Sequence, residues 1–198
     1  MAVSATMEPM TYEEVLRPLD RPWTFEDLEK LPDDGLRYEI VDGSLHVSPP
    51  PMFLHQLVST EILWPLQASV PSGMRVIAGN VGVHVQRGAT QYLIPDALVI
   101  REEVLARAPR NLDPADVVLV VEVVSPSSVT HDRITKRALY ARMGIEHYWI
   151  LEHVPEVRVT ALRLKGDEYV EQAVGRGGTV LELTEPFPVT LRLAELTG

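Results

Sequence analysis

The chain has 198 residues, of which 45% are hydrophobic, and this length fits one domain with a sizeable core. Its 18 basic and 28 acidic residues give a formal net charge of −10, which argues against a protein that coats nucleic acid through bulk charge. The absence of cysteine excludes disulfides, zinc–thiolate sites and cysteine nucleophiles.

The sequence predicts a loose arm over residues 1–22 and a single domain over residues 23–198. The first ten residues contain no basic region followed by an apolar stretch, so no signal peptide is expected. No apolar run reaches the length of a membrane span, so no membrane partner is expected. The lack of cysteine is compatible with a cytoplasmic protein.

The first part of the domain predicts a short helix and a hairpin. The helix covers residues 24–31, with acidic residues in its first turn. Asp42-Gly43 separates two strands over 37–41 and 44–47, which is a strong hairpin signal. Glu39 lies in the first of these strands, where a glutamate is most often solvated.

A longer helix is predicted over residues 52–70, with Pro65 as its kink or end. Its apolar side contains Leu54, Leu57, Val58, Ile62 and Leu66. His55 lies near its start, where a packed or capping histidine is more common than a ligand. Strands follow over 75–78, 81–86 and 92–100, and the last is entered through Pro95-Asp96. Taken alone, this pattern makes Asp96 a turn residue at a strand end.

Residues 117–124 are all β-branched or leucine except Glu122, which predicts a strand buried on both faces in the middle of a sheet. A lone carboxylate there costs several kcal/mol unless a cation or a metal compensates its charge. The strand itself contains no cation, so the partner must come from another element.

The next helix ends near Met143, and Asp132, Lys136 and Tyr140 form one stripe along it because they are four residues apart. Ile134 is expected on the opposite, core-facing side. Lys136 is a plausible electrostatic partner for Glu122. The alternative to a functional role is a structural salt bridge between Glu122 and Lys136, together with an ordinary ion pair between residues four apart on the helix.

The C-terminal part predicts strands over 145–151, 180–183 and 189–193 and a hairpin over 157–174. The fold class is therefore α/β or α+β, with a mixed β-sheet. The strand residues Glu39, Asp96 and Glu122 can gather with Lys136 at one end of this sheet. Carboxylates around a hard divalent cation, with a lysine to activate water, are what phosphodiester hydrolysis needs.

Several motifs in this order resemble known sequences. Pro95-Asp96, followed by Glu122 inside a hydrophobic strand, resembles the PD-(D/E)XK superfamily of restriction-endonuclease-like proteins. Over roughly residues 22–196 the chain is similar to the Uma-two (Uma2) family of predicted restriction-endonuclease-like proteins. The motifs that carry this resemblance are Tyr38-Glu39-Ile40-Val41-Asp42-Gly43, Ser48-Pro49-Pro50, His55-Gln56, Pro95-Asp96, Val121-Glu122-Val123-Val124-Ser125-Pro126-Ser127, Asp132, Lys136, Tyr140, Gly144-Ile145 and Tyr148-Trp149-Ile150.

The resemblance implies a restriction-endonuclease-like mixed β-sheet flanked by helices, with additional β-hairpins. It also implies Asp96 and Glu122 as ligands of Mg²⁺ or Mn²⁺. Val124 stands where the superfamily has its lysine, and Lys136 on the next helix is the implied substitute. Glu39 is implied as a further ligand or water-positioning group.

Further residues are assigned supporting roles on the same basis. His55, Asp132 and Tyr140 are expected to support the site. Arg133 and Arg137 lie on the same helix as Lys136, and their local positive charge, rather than the resemblance, makes them candidates to face substrate phosphates.

Three functions remain open from the sequence. The first is a Mg²⁺-dependent endonuclease acting on DNA, as a homodimer, because two sites make cutting two strands easiest. The second is a catalytically inactive binding or regulatory protein, favoured by the net acidity and by Val124. In that case Glu122→Gln is expected to stabilise the protein by removing an uncompensated charge. The third is a metal-dependent hydrolase with a substrate other than nucleic acid.

Overall fold

The structure is a computed structural model that describes residues 20–85, 91–124 and 131–197, with the backbone alone described at 131–133. The predicted arm over residues 1–22 therefore lies outside the described residues except for its last three. The end of the predicted strand 81–86 lies outside them as well.

The described residues form four α-helices, one π-helical turn and twelve strands. They are α1 (Phe25–Leu28), β1 (Arg37–Val41), β2 (Ser44–Ser48), α2 (Phe53–Glu61), α3 (Leu63–Ser69), β3 (Met74–Ala78), β4 (Val83–Val85), β5 (Gln91–Leu93), β6 (Ala97–Arg101), β7 (Val117–Val124), a π-helical turn (His131–Lys136), α4 (Arg137–Arg142), β8 (His147–Glu152), β9 (Arg158–Lys165), β10 (Glu168–Arg176), β11 (Val180–Leu183) and β12 (Val189–Arg192). Short 3-10 turns cover Glu102–Ala106, Pro114–Asp116 and Leu193–Leu196.

Two compact units make up the described chain. The first contains residues 20–50, 84–85 and 91–93, and the second contains residues 51–83, 94–124 and 131–197. The prediction of one domain over residues 23–198 stays a prediction. None of the helices in the described ranges is long and apolar enough to cross a membrane.

The first unit is built on a four-stranded sheet in the order β2-β1-β5-β4. Asp42 and Gly43 both have positive φ and join β1 to β2, as the hairpin signal predicted. The Gln91 amide donates to Asp42 Oδ1 at 2.6 Å and accepts the Asp42 N–H at 3.1 Å, which fixes the turn against β5.

The second unit contains a six-stranded sheet in the order β10-β9-β8-β7-β6-β3. Only β7 and β8 are parallel among these pairs, so the sheet is mixed, as predicted. Every residue of β7 is buried, because the strand lies inside the sheet and both of its faces are covered. A separate hairpin, β11–β12, packs Leu181 and Leu191 into the same core.

Helices cover both faces of this sheet. Val58, Ile62 and Leu66 of the α2–α3 segment pack into the core cluster that contains Val121 and Val123. On the opposite side α4 contacts β7 through Glu122. The helices therefore bury alternate side chains of the same strand.

The predicted helix over 52–70 is divided into α2 and α3 at Ile62. Pro65 has no N–H to donate to the Glu61 carbonyl, which explains the predicted break. Leu54 was expected on the apolar side, but it is exposed because it lies in the first turn, beyond the edge of the core.

The prediction for Ile134 is wrong, since 66% of its surface is exposed. It lies in the π-helical turn, where hydrogen bonds join residues five apart. The four-residue spacing of an α-helix therefore does not assign faces correctly before Lys136.

Candidate functional site

Glu122 is the carboxylate on the internal strand β7, and 2% of its surface is exposed. Lys136 Nζ donates to Glu122 Oε1 at 2.9 Å, and the Tyr140 hydroxyl donates to the same oxygen at 2.7 Å. The ion pair expected from the sequence is therefore present. The carboxylate also receives a phenol hydrogen bond, which the sequence did not specify.

The local chain explains why these two donors meet at one oxygen. Lys136 is the last residue of the π-helical turn and Tyr140 lies one α-helical turn later, so both point towards β7. Both side chains are buried, and the Tyr140 ring packs against Tyr148 of β8 with centroids 5.3 Å apart. Glu122 is thus held by a charge and a hydrogen bond inside an apolar layer, where both are stronger than in water.

Asp96 immediately precedes β6 and is buried. Ala97 pairs with Val121, so Asp96 lies one step along the ladder, across from Glu122. Asp96 Oδ2 accepts the N–H of Val123 at 2.8 Å, while the Asp96 N–H donates to the Val121 carbonyl at 3.2 Å. Strand pairing therefore brings the two predicted ligands to neighbouring positions and fixes one oxygen of Asp96.

His55 of α2 reaches the same carboxylate. Its Nε2 lies 3.3 Å from Asp96 Oδ2, and its Nδ1 lies 3.4 Å from Ser59 Oγ. Ser59 is buried and donates to the His55 carbonyl at 2.8 Å, so its hydroxyl serves the helix and is not arranged as a nucleophile. His55 is therefore in contact with a site residue, which the sequence indicated only through the resemblance.

His153 was missed by the sequence analysis. It directly follows β8, the strand that runs parallel to β7, and its Nδ1 is buried without a hydrogen-bond partner among the described residues. Burial, and next the charge of His55, lower the pKa of His153 below its usual value. A sequence signal was available, because polar residues just beyond a buried parallel strand lie at the edge where sites form.

Glu39 lies on β1 in the first unit, opposite His46 in the hairpin. It is buried, and the expectation that a strand glutamate is solvated is therefore wrong here. Because the site formed by Asp96 and Glu122 belongs to the second unit, the role of Glu39 as a further ligand stays a prediction.

The remaining predicted residues lie on the helix after β7. The side chains of Asp132 and Arg133 lie outside the described part of the chain, so their roles stay predictions. Arg137 donates to the Tyr169 carbonyl of β10, an arrangement that ties α4 to the sheet. Its predicted contact with substrate phosphates also stays a prediction. Val124, at the position of the superfamily lysine, is buried and apolar.

The residue types Asp and Glu at these two neighbouring backbone positions suit a hard divalent cation. The described residues contain no group of three or more histidine or acidic side chains that could hold a metal ion. Mg²⁺, however, commonly takes one or two carboxylates from the protein and keeps several water ligands. Asp96 and Glu122 supply two such carboxylates on adjacent strands, and each carboxylate has about four acceptor sites.

Comparisons with known proteins agree with this fold. The family model Uma2, described as "putative restriction endonuclease", matches residues 25–195. The crystal structure of a protein from Anabaena variabilis ATCC 29413, described as a "putative nuclease belonging to DUF820", superimposes with a TM-score of 0.62. Its sequence is 15% identical, and the match covers 89% of this chain and 98% of that one. No curated protein matches the chain.

Proposed function

This chain belongs to the Uma2 family, and we propose from that premise that it hydrolyses phosphodiester bonds in DNA with a divalent cation at Asp96 and Glu122. Family and fold support a nuclease. The observation that carries the finer proposal is the pair of buried carboxylates on adjacent strands, each oriented by its own donors.

Mg²⁺ or Mn²⁺, when bound, would neutralise the substrate phosphate and supply hydroxide by lowering the pKa of a bound water. The protein's part is to hold the two carboxylates still. Val123 N–H and His55 fix Asp96 Oδ2, while Lys136 and Tyr140 fix Glu122 Oε1. Such outer contacts orient ligands and raise metal affinity.

Lys136 has a second part in the proposal. The superfamily's usual lysine position is occupied by Val124, which has no charge to offer. Lys136 is the described cation bound to Glu122, and in the resting protein it balances the charge of that glutamate. We assign it the stabilisation of negative charge near the cation during hydrolysis. Cleavage of two DNA strands is simplest with two sites, so the proposal includes a homodimer.

The test is a calorimetric titration of Mn²⁺ with a parallel cleavage assay on plasmid DNA. Asp96→Asn and Glu122→Gln are expected to abolish the binding heat and to lower cleavage at least about 100-fold, as loss of a metal ligand should. Asp27→Asn is the matched control, because Asp27 is also a buried, ion-paired carboxylate but lies in the first unit. Wild-type protein that binds no Mn²⁺ at millimolar concentration would overturn the proposal.

The second candidate is an inactive binding or regulatory protein, and the observation that favours it is the completeness of the Lys136–Glu122–Tyr140 contacts. The prediction that Glu122→Gln stabilises such a protein assumed an uncompensated charge, whereas Lys136 compensates the charge of Glu122. That substitution would instead leave Lys136 as a buried charge without its carboxylate. An absence of both metal binding and cleavage, in a folded wild-type protein, distinguishes this candidate.

A further inference from the structure

The outer side of α2 and α3 exposes large apolar side chains. Phe53 is 78% exposed and Trp64 is 66% exposed, although both residues belong to helices whose other side packs into the core. We define the α2–α3 face as six of the exposed residues of this segment, which are Met52, Phe53, Leu54, Gln56, Thr60 and Trp64. Sequence periodicity did not indicate this face, because its apolar residues are mixed with core residues along the helix.

The two aromatic residues lie on one side of a nearly continuous helix. Ile62, between α2 and α3, has helical backbone angles of −65° and −23°, so the helical turns continue through the division at this residue. Phe53, Thr60 and Trp64 are then spaced at i, i+7 and i+11, which places them along one stripe. At 1.5 Å per residue the aromatic residues are about 16 Å apart along the axis.

The same stretch carries almost no charge. Residues 53–69 contain one charged residue at neutral pH, Glu61, in a chain that is 23% charged. With no lysine or arginine, the face has nothing to bind the phosphates of a nucleic acid. With one carboxylate, it also has little to attract a basic partner. Its complement must be an uncharged apolar surface.

We propose that the α2–α3 face is the surface through which two copies of this chain associate, in antiparallel orientation about a two-fold axis. A two-fold interface sets each surface against itself, so a charge-free face is self-complementary and a charged one is not. Two chains of net charge −10 repel each other, and this face lets them meet with little charge between them. The inference rests only on the homodimer part of the proposed function.

The antiparallel orientation makes a specific contact. Around an axis near the middle of the stripe, Phe53 of each copy lies opposite Trp64 of the other copy. Aromatic side chains each bury ~150–250 Å² when covered. Because Phe53 and Trp64 are already partly covered within one copy, the four side chains of two pairs supply about a third of the ~1,200–2,000 Å² that a stable interface buries. Met52 and Leu54 extend the apolar area beside Phe53.

The first experiment measures the mass of the wild-type protein by sedimentation equilibrium at micromolar concentration. We expect twice the chain mass of 22.1 kDa for the wild type and the single chain mass for Trp64→Glu. Val170→Glu is the matched control, since Val170 is an exposed apolar residue on β10, and it should leave the dimer intact. A wild-type protein that is monomeric up to about 100 µM, or a Trp64→Glu variant that stays dimeric, overturns the proposal.

The second experiment uses the absence of native cysteine. Thr60 lies on the stripe near the expected axis, so Thr60→Cys keeps both aromatic residues and should form a disulfide-linked dimer under mild oxidation. Val170→Cys is the matched control and should remain monomeric on a denaturing gel. Equal cross-linking by the two variants would overturn the assignment of this face. Neither experiment depends on cleavage, so failure of the nuclease proposal and failure of this one are distinguished.

Discussion

Glu122 is an ionised side chain at the centre of the sheet, and its burial depends on Lys136. Lys136→Met removes the positive charge and leaves a buried carboxylate, which typically costs about 3–5 kcal/mol of unfolding free energy. Lys136→Met/Glu122→Gln removes both charges and should recover a large part of that loss. Urea denaturation of the two single variants and the double variant measures this coupling. A loss of under about 1 kcal/mol in Lys136→Met would show that another group compensates Glu122.

Tyr140 contributes a hydrogen bond to Glu122 without contributing charge. Tyr140→Phe keeps the ring against Tyr148 but frees Glu122 Oε1 to rotate, so the affinity for Mn²⁺ should fall about 10–100-fold. Tyr169→Phe is the control, because the Tyr169 hydroxyl also donates a buried hydrogen bond, to the Ile145 carbonyl at 2.6 Å. Both variants should lose about 1 kcal/mol of stability. Equal Mn²⁺ affinity in the two variants would mean that the Tyr140 hydroxyl does not contribute to metal binding.

Strand β3 ends beside Asp96, and Gly79 is the residue that permits the approach. The Gly79 N–H donates to the Asp96 carbonyl at 2.9 Å, and a Cβ on Gly79 would lie 3.1 Å from the carbonyl oxygens of Asp96 and Pro95. Gly79→Ala should therefore push the Asp96 backbone outwards by a few tenths of an ångström. Because a 1 Å misplacement costs ~100-fold in rate, we expect cleavage to fall about 3–10-fold.

The control for this substitution is Gly178→Ala, since a Cβ there meets no atom within 4 Å. The position of Asp96 can be followed without activity, through hydrogen exchange of the Val123 amide that donates to Asp96 Oδ2. Faster exchange in Gly79→Ala than in Gly178→Ala is expected. Unchanged exchange together with unchanged cleavage would mean that the added methyl group displaces the end of β3 and leaves Asp96 in place.

Helix α1 depends on a carboxylate in its first turn. Asp27 Oδ2 accepts the Thr24 N–H at 3.1 Å, and the Arg21 guanidinium binds the same carboxylate and holds the pKa of Asp27 well below its usual value of 3.8. A lowered folded pKa means that the unfolded chain binds the proton more readily. The stabilisation is therefore complete above about pH 4 and is lost as the pH falls further.

We expect the wild type to lose more stability between pH 5 and pH 2.5 than Asp27→Asn does, because the variant has no proton to take up. Urea midpoints across this range measure the difference. Asp167→Asn, in the exposed β9–β10 turn, should follow the wild type. Parallel pH profiles for wild type and Asp27→Asn would contradict the assignment.

The elements that the sequence predicted are those determined by their own residues. Strand β7 follows from its uninterrupted apolar run, the first hairpin from Asp42-Gly43, and the division of the long helix from Pro65. The ion pair of Glu122 with Lys136 was also predictable, because a buried charge requires a partner within reach.

Other features depend on packing between distant parts of the chain. The π-helical turn before α4 has no sequence signature, and it rotated Ile134 out of the core. The contact of His55 with Asp96 joins a helix to a strand far along the chain, and only the family resemblance indicated it. The exposure of Trp64 depends on which side of α3 the sheet covers, which periodicity alone does not decide.

At the scale of the molecule, the net negative charge constrains how the protein would bind the DNA substrate that we propose for it. The net charge is −10, and several described cations already bind carboxylates. Arg75, Arg107, Lys136 and Arg163 each form such an ion pair. These described cations are already engaged, so we expect a metal bound at Asp96 and Glu122 to supply much of the attraction to phosphate.

This reasoning predicts a weak dependence of DNA binding on monovalent salt. For each phosphate that a protein neutralises on duplex DNA, the logarithm of the binding constant changes with the logarithm of salt by a slope of about −0.9. We expect a slope no steeper than about −3 between 50 and 200 mM KCl at constant Mg²⁺, equivalent to roughly three phosphates. Fluorescence anisotropy of the wild-type protein with a labelled phosphorothioate duplex, which keeps the backbone charge and resists cutting, measures it. A slope of about −6 or steeper would mean that the chain presents a basic surface to DNA despite its net charge, and the metal would then be needed for hydrolysis alone.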